Sequence, residues 1–354
     1  MFARCELCGS RFVLIATTST LVTILVIATF HINRSVLQAN RAFDCPAKSV
    51  SLSAYPEQFN AVIVFGVASV YHQVLELTRV LQHEGIKATE VTSVETLNTG
   101  FNDILYILLA PQLVVSYPKH FIAYQVEQWG SPWITSPWGV LQANDRPSNY
   151  QEVLGAALEV WDYSRWNIQH FDYPDSPRGV ERCQVKYIPF AWFPTASCEA
   201  QTERDIDVLF FGAMNDKRQS KLTLLNELGV KVTRVAAQET ELDKYVCRSK
   251  IVLNLHYYDG LLETSRIMHA ISLNALVISE PPLDPANFHD FYPAVVFEDE
   301  VAHIAESILS FLSDDTLRLR RVSEAYQYCK NKYALRIWLS NTYIGSMFNQ
   351  HVST

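Results

Sequence analysis

The sequence predicts an α/β protein in which two doubly wound domains face each other across a cleft, preceded by one N-terminal transmembrane helix. Short apolar runs that end in glycine or proline alternate with helix-spaced stretches, and the alternation restarts after a polar linker at about 192–204. An uncharged apolar run lies near the N-terminus. The chain of 354 residues has room for two domains of ordinary size.

The N-terminal run has no charged residue from Phe12 to Phe30 and is flanked by Arg11 and Arg34. About 20 residues of helix cross a hydrocarbon core of roughly 30 Å, so a span over 12–32 fits an uncleaved anchor. The alternative is a cleaved signal peptide, whose apolar centre is usually shorter and is followed by a small-x-small cleavage site.

The positive charges that flank the span are nearly balanced, so the positive-inside rule leaves the membrane orientation open. We expect a single-pass type II protein of the Golgi or endoplasmic reticulum with its catalytic part in the lumen. The predicted organisation is a short tail (1–11), a signal anchor (12–32), a stem (33–58), a first domain (59–195), a second domain (205–332) and a C-terminal segment (333–354).

The first half begins with an apolar run that Gly66 closes, which is typical of a buried strand. Apolar residues spaced three and four apart then predict a helix over 70–84, and Ser164 can cap a helix that starts at Arg165. Strands are predicted at 61–66, 87–91, 103–110, 121–126, 157–161 and 185–188. Because helical stretches separate the strands, we expect a parallel sheet.

The second half repeats this pattern, beginning with an apolar strand at 207–212 that also ends in glycine. A helix over 217–228 follows, and Gly229 stops it. Further strands are predicted at 230–235, 251–255, 275–279 and 295–297, and further helices at 260–273, 302–312 and 314–332. Ligands of such sheets bind at the carboxyl ends of the strands, so we expect the site there.

The composition excludes several classes of protein. With 49% hydrophobic and 12% aromatic residues, the chain has ample material for a core. The formal net charge is -8, and residues 35–354 carry -10, which argues against a nucleic-acid partner. The sequence lacks the common phosphate-loop, zinc-protease and lipase motifs. Five cysteines follow the anchor without metal-like spacing, and their pairing stays open: Cys45, Cys183, Cys198, Cys247 and Cys329.

The stretch from 205 to 282 resembles the nucleotide-sugar half of group 1 glycosyltransferases of GT-B architecture. The similar segments are DVLFFGAMNDKR at 207–218, KIVLNLH at 250–256 and NALVISE at 274–280. The resemblance implies two Rossmann-like domains, the N-terminal one for the acceptor and the C-terminal one for the donor.

The sequence departs from the better-known members of that family. Those members carry a pair of glutamates across the helix before Val277, and His269 stands at the second glutamate position. Asn274 replaces a glycine, and asparagine also tolerates the left-handed helix cap. The chain is closer to a divergent branch with Glu and Arg three residues apart, matched by Glu263 and Arg266.

The candidate donor-binding residues follow predicted strands or begin predicted helices. Arg218 lies near a helix N-terminus, where backbone N–H groups and a guanidinium can bind a diphosphate. A carboxylate in the first turn of the next helix can accept sugar or ribose hydroxyls, and Arg266 is a lone cation in an apolar helix. The set is Arg218, His256, Glu263, Arg266 and Glu280.

The candidate catalytic residues lie in the first half. Glu127 follows a strand and could act as the general base towards an acceptor hydroxyl, and His72 after the first strand is the alternative base. For each of these candidates a structural role is the competing interpretation. The pair Asp205 and Asp207 precedes a strand rather than following it, so we expect no essential metal and no cofactor.

The sequence therefore predicts a membrane-anchored, metal-independent hexosyl- or pentosyltransferase. It would move a sugar from a nucleotide-sugar donor to a hydroxyl of a glycan, glycoprotein or glycolipid, and its partners would be those substrates and the membrane, without nucleic acid. The alternatives are a catalytically inactive carbohydrate-binding or assembly subunit of the same fold and, third, a nucleotide-sugar epimerase.

Overall fold

The structure is a computed structural model that describes residues 59–350 with several gaps. The gaps are 67–69, 93–100, 110, 112–116, 127–149, 171–184, 193–196, 200–201, 237–238, 258–261 and 284. The predicted anchor at 12–32 and the stem at 33–58 lie outside the described residues. Among the helices that are described, none is both long and apolar enough to span a bilayer.

The first half consists of a parallel sheet and the helices between its strands. In order along the chain these elements are β1 (Ala61–Phe65), α1 (Tyr71–His83), β2 (Ala88–Val91), β3 (Ile104–Leu109), β4 (Phe121–Gln125), α2 (Tyr150–Ala156), β5 (Glu159–Asp162), α3 (Arg165–His170) and β6 (Val185–Tyr187). Apart from α2, each corresponds to a predicted element. Ser164 Oγ accepts a bond of 3.4 Å from the Asn167 N–H, as the predicted cap requires.

The second half has its own parallel sheet. Its elements are β7 (Ile206–Phe211), α4 (Asp216–Glu227), β8 (Val232–Val235), α5 (Glu239–Cys247), β9 (Ser249–Asn254), α6 (Thr264–Ser272), β10 (Leu276–Ser279), α7 (Pro285–Phe288), β11 (Val296–Phe297), α8 (Val301–Ser313), α9 (Asp315–Lys332), α10 (Leu335–Leu339) and α11 (Tyr343–Gln350). Asn274 has a φ of 58°, so it serves as the left-handed helix cap expected from its sequence position.

The two sheets share one topology. Within the described residues the strand orders are β2-β1-β3-β4-β5-β6 and β11-β10-β9-β7-β8, and every strand pair is parallel. The chain order reverses between β1 and β3 in one sheet and between β7 and β9 in the other. In doubly wound sheets ligands bind at the carboxyl ends of the strands beside this reversal. In the second sheet, that place is where β7 and β9 end.

The chain crosses between the halves at two adjacent places. The Trp192 N–H donates to the Tyr333 carbonyl at 2.9 Å, and Trp192 pairs with Ala334 as a parallel bridge. Beyond this point the C-terminal segment returns to the first half, where the Tyr343 N–H donates to Glu159 Oε1 at 2.9 Å. Both sheets lie within one compact unit of the chain.

The linker after the first half is fastened to the second. A disulfide joins Cys198 to Cys247 at the end of α5, with the Cα atoms 5.4 Å apart. Arg204 donates to the carbonyls of Leu273 at 2.7 Å and Val246 at 3.4 Å. The sequence alone does not determine which cysteines pair. In the structure Cys198 is bonded to Cys247, and Cys329 is a buried free thiol.

Candidate functional site

The candidate site is built where β7 and β9 end and where α4 and α6 begin. Gly212 follows β7 with a φ of 123°, a conformation that residues with a Cβ rarely adopt. Asn215 caps α4, since its side chain accepts a bond of 2.9 Å from the Arg218 N–H. The Asn215 amide also donates to the Tyr257 carbonyl at 2.8 Å, which ties the start of α4 to the segment after β9.

Arg218 holds the two strand ends together. It is 2% exposed, and its guanidinium donates to the Leu255 carbonyl at 2.6 and 3.0 Å and to the Ala213 carbonyl at 2.6 Å. A further bond of 2.5 Å goes to Glu263 Oε1. From the sequence we expect this arginine to bind phosphate. The structure commits most of its donors to the protein backbone and to Glu263, so Arg218 fixes the ends of β7 and β9 relative to the start of α6, and phosphate binding by Arg218 stays a prediction.

Glu263 stands at the N-cap position of α6 and presents its two oxygens differently. Oε1 accepts from Arg218 and, at 2.8 Å, from the Tyr257 N–H. Oε2 is buried without a hydrogen-bond partner and lies 3.9 Å from Arg266 Nη1. A carboxylate oxygen in this position is able to accept a hydrogen bond from a hydroxyl of a ligand.

Arg266 lies against the end of β7. Its Nη1 donates to Asn254 Oδ1 at 2.5 Å, its guanidinium packs 5.5 Å from the ring centres of Phe210 and Phe211, and its Nε is buried without a partner. A Cβ at Gly212 would come within 2.5 Å of Nη2. The pKa of Arg266 is lowered to about 10, chiefly by burial, while Glu263 opposes this shift and the nearby Arg218 adds to it.

His256 and Thr264 complete the group of buried polar atoms. His256 is 2% exposed with no partner at Nε2, and Thr264 is 4% exposed with no partner at Oγ1. Eight buried side-chain nitrogen or oxygen atoms in the described part of the chain lack a partner, and four belong to the segment 256–266. Since buried polar groups are normally hydrogen-bonded, this concentration indicates a ligand site.

Glu280 connects the end of β10 to this group. Its Oε2 accepts from the His256 N–H at 2.8 Å, and its Oε1 forms an ion pair with Lys221 of α4. Four cations and two carboxylates therefore meet at the carboxyl edge of the second sheet: Lys217, Arg218, Lys221, Arg266, Glu263 and Glu280. All five donor-site residues predicted from the sequence lie in or beside this cluster.

Several residues that contact or line the cluster are not among the residues predicted from the sequence. The tertiary structure brings three of them to the cluster: Thr264, Lys221 and Gly212. A fourth, Asn254, accepts from Arg266 and so positions it, while its amide donates to Ser279 Oγ at 2.9 Å. Asn254 had a visible signal, because it is the polar residue in the otherwise apolar strand predicted at 251–255. His269, at the position of the missing glutamate, contacts Asp243 Oδ1 through Nε2 at 2.6 Å.

The predicted catalytic residues stay predictions. Glu127 lies outside the described residues, and for His72 the structure describes only its backbone position in α1. Asp205 and Asp207 pair with Arg248 at 2.8 Å and Lys250 at 2.5 Å, at the edge of the sheet opposite the site. The described residues contain no group of three His, Cys, Asp or Glu side chains placed to hold a metal.

The buried His256 makes stability dependent on pH. Burial lowers its pKa to about 4, with smaller effects from Lys217, Lys221 and Arg266 that also lower it and from Glu263 that raises it. Between pH 6.5 and 4 the unfolded chain therefore binds the extra proton, so stability falls by about 3 kcal/mol as the pH drops through this window.

Urea unfolding of the wild type and of His256→Gln at pH 7 and pH 4.5 measures this loss. The variant should show a smaller decrease, while His83→Gln, at an exposed histidine at the end of α1, should behave as the wild type. Equal decreases in wild type and His256→Gln would contradict the assignment.

Comparison with solved structures identifies the fold. An α-glucosyltransferase in complex with UDP-glucose and DNA is 11% identical, covers 82% of this chain and 99% of its own, and has a TM-score of 0.53. HepE of Anabaena, in complex with UDP and glucose, is 10% identical over 83% of this chain and 99% of its own, with a TM-score of 0.54. The chain has the GT-B fold.

A glycosyltransferase of Rickettsia africae shares that GT-B fold, with 10% identity, coverage of 84% of this chain and 100% of its own, and a TM-score of 0.51. No protein-family model matches the sequence, and neither does any curated protein. The likeness is thus one of fold. In GT-B terms, the cluster around His256 lies in the C-terminal domain, where the resemblance in sequence placed the donor.

Proposed function

We propose that the protein is a glycosyltransferase that binds a nucleotide-sugar donor at the cluster around His256 and transfers the sugar to an acceptor hydroxyl. The observation that carries the proposal is the concentration of four unpartnered, buried polar atoms between 256 and 266, beside four cationic side chains. Hydroxyls and phosphates of one ligand would satisfy all four atoms. The solved structures with UDP-glucose or UDP support it through their shared fold.

Each side chain has a chemical task in this proposal. Arg266 would bind the diphosphate and offset the charge of the leaving group, since preorganised cations stabilise charge that develops in the transition state. Glu263 Oε2 would accept a hydrogen bond from a sugar or ribose hydroxyl. Arg218 keeps the carbonyls and Glu263 in place. Because these cations supply positive charge at the leaving group, we propose that hexosyl or pentosyl transfer is independent of metal and cofactor.

The proposal for the acceptor and its catalytic base is based on the sequence alone. We propose a hydroxyl of a glycan, glycoprotein or glycolipid as acceptor, with Glu127 or His72 as its base. The α-glucosyltransferase structures contain DNA, and the acidic net charge of -8 disfavours such a partner for this chain.

We also propose that the 59–350 region lies in the lumen of the Golgi or endoplasmic reticulum, tethered by the 12–32 helix. The Cys198–Cys247 disulfide supports this placement, because such bonds persist in oxidising compartments and are rare in the cytosol. Flanking charges alone left the orientation open, and the disulfide favours type II.

Donor binding is tested by thermal shift of the full-length protein in detergent against a panel of sugar nucleotides. A ligand that binds only the folded state raises the free energy of unfolding, by about 2.7 kcal/mol at a concentration one hundred times its Kd. The melting temperature rises as a result. The expected result is a shift with at least one donor, followed by sugar release or transfer. A flat response across the whole panel would overturn the proposal.

A protein that binds a donor without transferring it is the second candidate. Its support is His269, which stands where the resemblance places a carboxylate and is bonded to Asp243 instead. Binding without hydrolysis or transfer in the presence of acceptors would favour this candidate.

A further inference from the structure

Two polar residues end neighbouring strands of the second sheet. Asn254 is the last residue of β9 and Ser279 is the last residue of β10, and the two residues are paired in the parallel register. Both side chains are fully buried. A buried polar side chain without a hydrogen-bond partner costs free energy, so the bonds of these two residues indicate what the pair does.

Three hydrogen bonds run in series from Arg266 to the end of β10. Arg266 donates from Nη1 to Asn254 Oδ1 at 2.5 Å. Asn254 donates from Nδ2 to Ser279 Oγ at 2.9 Å. The Ser279 hydroxyl donates to the Glu280 carbonyl at 2.7 Å. Ser279 is thus linked to Arg266 through the Asn254 amide.

The two ends of this series fix the orientation of the Asn254 amide. A backbone carbonyl can only accept a hydrogen bond, so the single proton of the Ser279 hydroxyl points to Glu280. The Ser279 oxygen therefore faces Asn254 as an acceptor, and it requires the NH2 group of the amide on its side. The amide oxygen is then turned towards Arg266, whose guanidinium can only donate.

The Asn254 oxygen is the main hydrogen-bond partner of Arg266. The other bond of Nη1, to the Leu255 carbonyl, is longer at 3.4 Å, and Nε is buried without a partner. Without the Ser279 hydroxyl, the Asn254 NH2 group would be buried without its acceptor. The amide oxygen would then no longer be held towards Arg266, and the guanidinium would lose its short bond.

We propose that Ser279 is a positioning residue of the donor site. It is 0% exposed, so it acts without touching the ligand, and through Asn254 it holds the Arg266 guanidinium where the donor binds. This inference rests on the proposed function of the site. It extends the set of residues that determine donor affinity to the end of β10.

The test compares Ser279→Val with Ser279→Thr, because valine and threonine are both branched at Cβ and only threonine has a hydroxyl. UDP and GDP are titrated by calorimetry into the full-length protein in detergent, and the nucleotide that binds wild type is carried forward. In Ser279→Val the Kd should rise at least about fivefold, the factor that a hydrogen bond typically contributes, and in Ser279→Thr it should stay within about twofold of wild type.

The control is Ser249→Val, at a fully buried serine that begins β9 at the opposite end of the strand. The Ser249 hydroxyl also donates to a backbone carbonyl, that of Tyr245 at 2.6 Å. This variant should be less stable but bind the nucleotide as wild type does. Equal rises of the Kd in Ser279→Val and Ser279→Thr would show an effect of packing and overturn the inference. An unchanged Kd in a destabilised Ser279→Val protein would also overturn it, with the proposed function intact.

Urea unfolding without nucleotide tests the series of bonds separately. Ser279→Val should destabilise the wild type more than the Arg266→Met variant, because in that variant the Asn254 oxygen has no guanidinium to hold. The two substitutions should differ from additivity by at least about twofold in the unfolding equilibrium constant. Additive losses would overturn the inference even if the nucleotide binds. If wild type binds neither UDP nor GDP, the inference fails together with the proposed function.

Discussion

Replacing Arg218 with alanine is expected to lower the free energy of unfolding by about 3–5 kcal/mol, because it removes one partner of a buried charged network. The substitution would remove the short bonds to the carbonyls of Leu255 and Ala213 and the nearer of the two cations beside Glu263, and only long contacts with Arg266 would remain at Leu255 and Glu263. Arg218→Lys should recover little of the loss, since a lysine cannot reproduce the planar fork that reaches three acceptors.

Urea unfolding followed by circular dichroism measures this effect, and Arg320→Ala is the matched control. Arg320 is an exposed arginine of α9, so its replacement should change stability by about 0.5 kcal/mol or less. A fully stable Arg218→Ala protein that had lost only nucleotide binding would instead support the sequence-based view of Arg218 as a direct phosphate ligand.

The difference between these two views shows what the sequence could predict. Alternating apolar runs and helix periods placed Arg218, His256 and Glu280 at the carboxyl edge of the second sheet, and the structure has them there. The hydrogen-bond partners were not predictable. Whether a guanidinium reaches a ligand or a carbonyl depends on angles between α4 and the end of β9, which residue spacing does not encode.

The fold itself was predictable where a local period was strong. The prediction missed α5, whose few apolar residues over Glu239–Cys247 give a weak pattern, and it left 333–354 as a segment without assigned structure. The structure places α10 and α11 there, held by contacts such as Lys186 Nζ to the Asn341 carbonyl at 2.6 Å. Such a contact joins residues 155 positions apart, so no local pattern indicates it.

Replacing Arg266 with alanine is expected to weaken nucleotide binding at least about thirtyfold, with a smaller effect on folding than Arg218→Ala. Arg266 makes one short bond, to Asn254 Oδ1, and its Nε is buried without a protein partner. Removing a buried cation from an anion site typically costs about 2–5 kcal/mol of binding, which a titration with the nucleotide that binds wild type would measure. Arg266→Lys should bind weakly, because an ammonium cannot keep the flat packing against Phe210 and Phe211.

A second variant displaces the Arg266 side chain without replacing the residue. In Gly212→Ala the new Cβ would lie within 2.5 Å of Arg266 Nη2, so the guanidinium has to move away from the end of β7. Gly229→Ala is the control, since Gly229 also has a positive φ, 85°, but a Cβ added there would meet no atom within 4 Å. Both variants should lose about 1 kcal/mol of stability from backbone strain, and only Gly212→Ala should lose nucleotide affinity. Equal affinities in the two glycine variants would show that the position of Arg266 does not control donor binding.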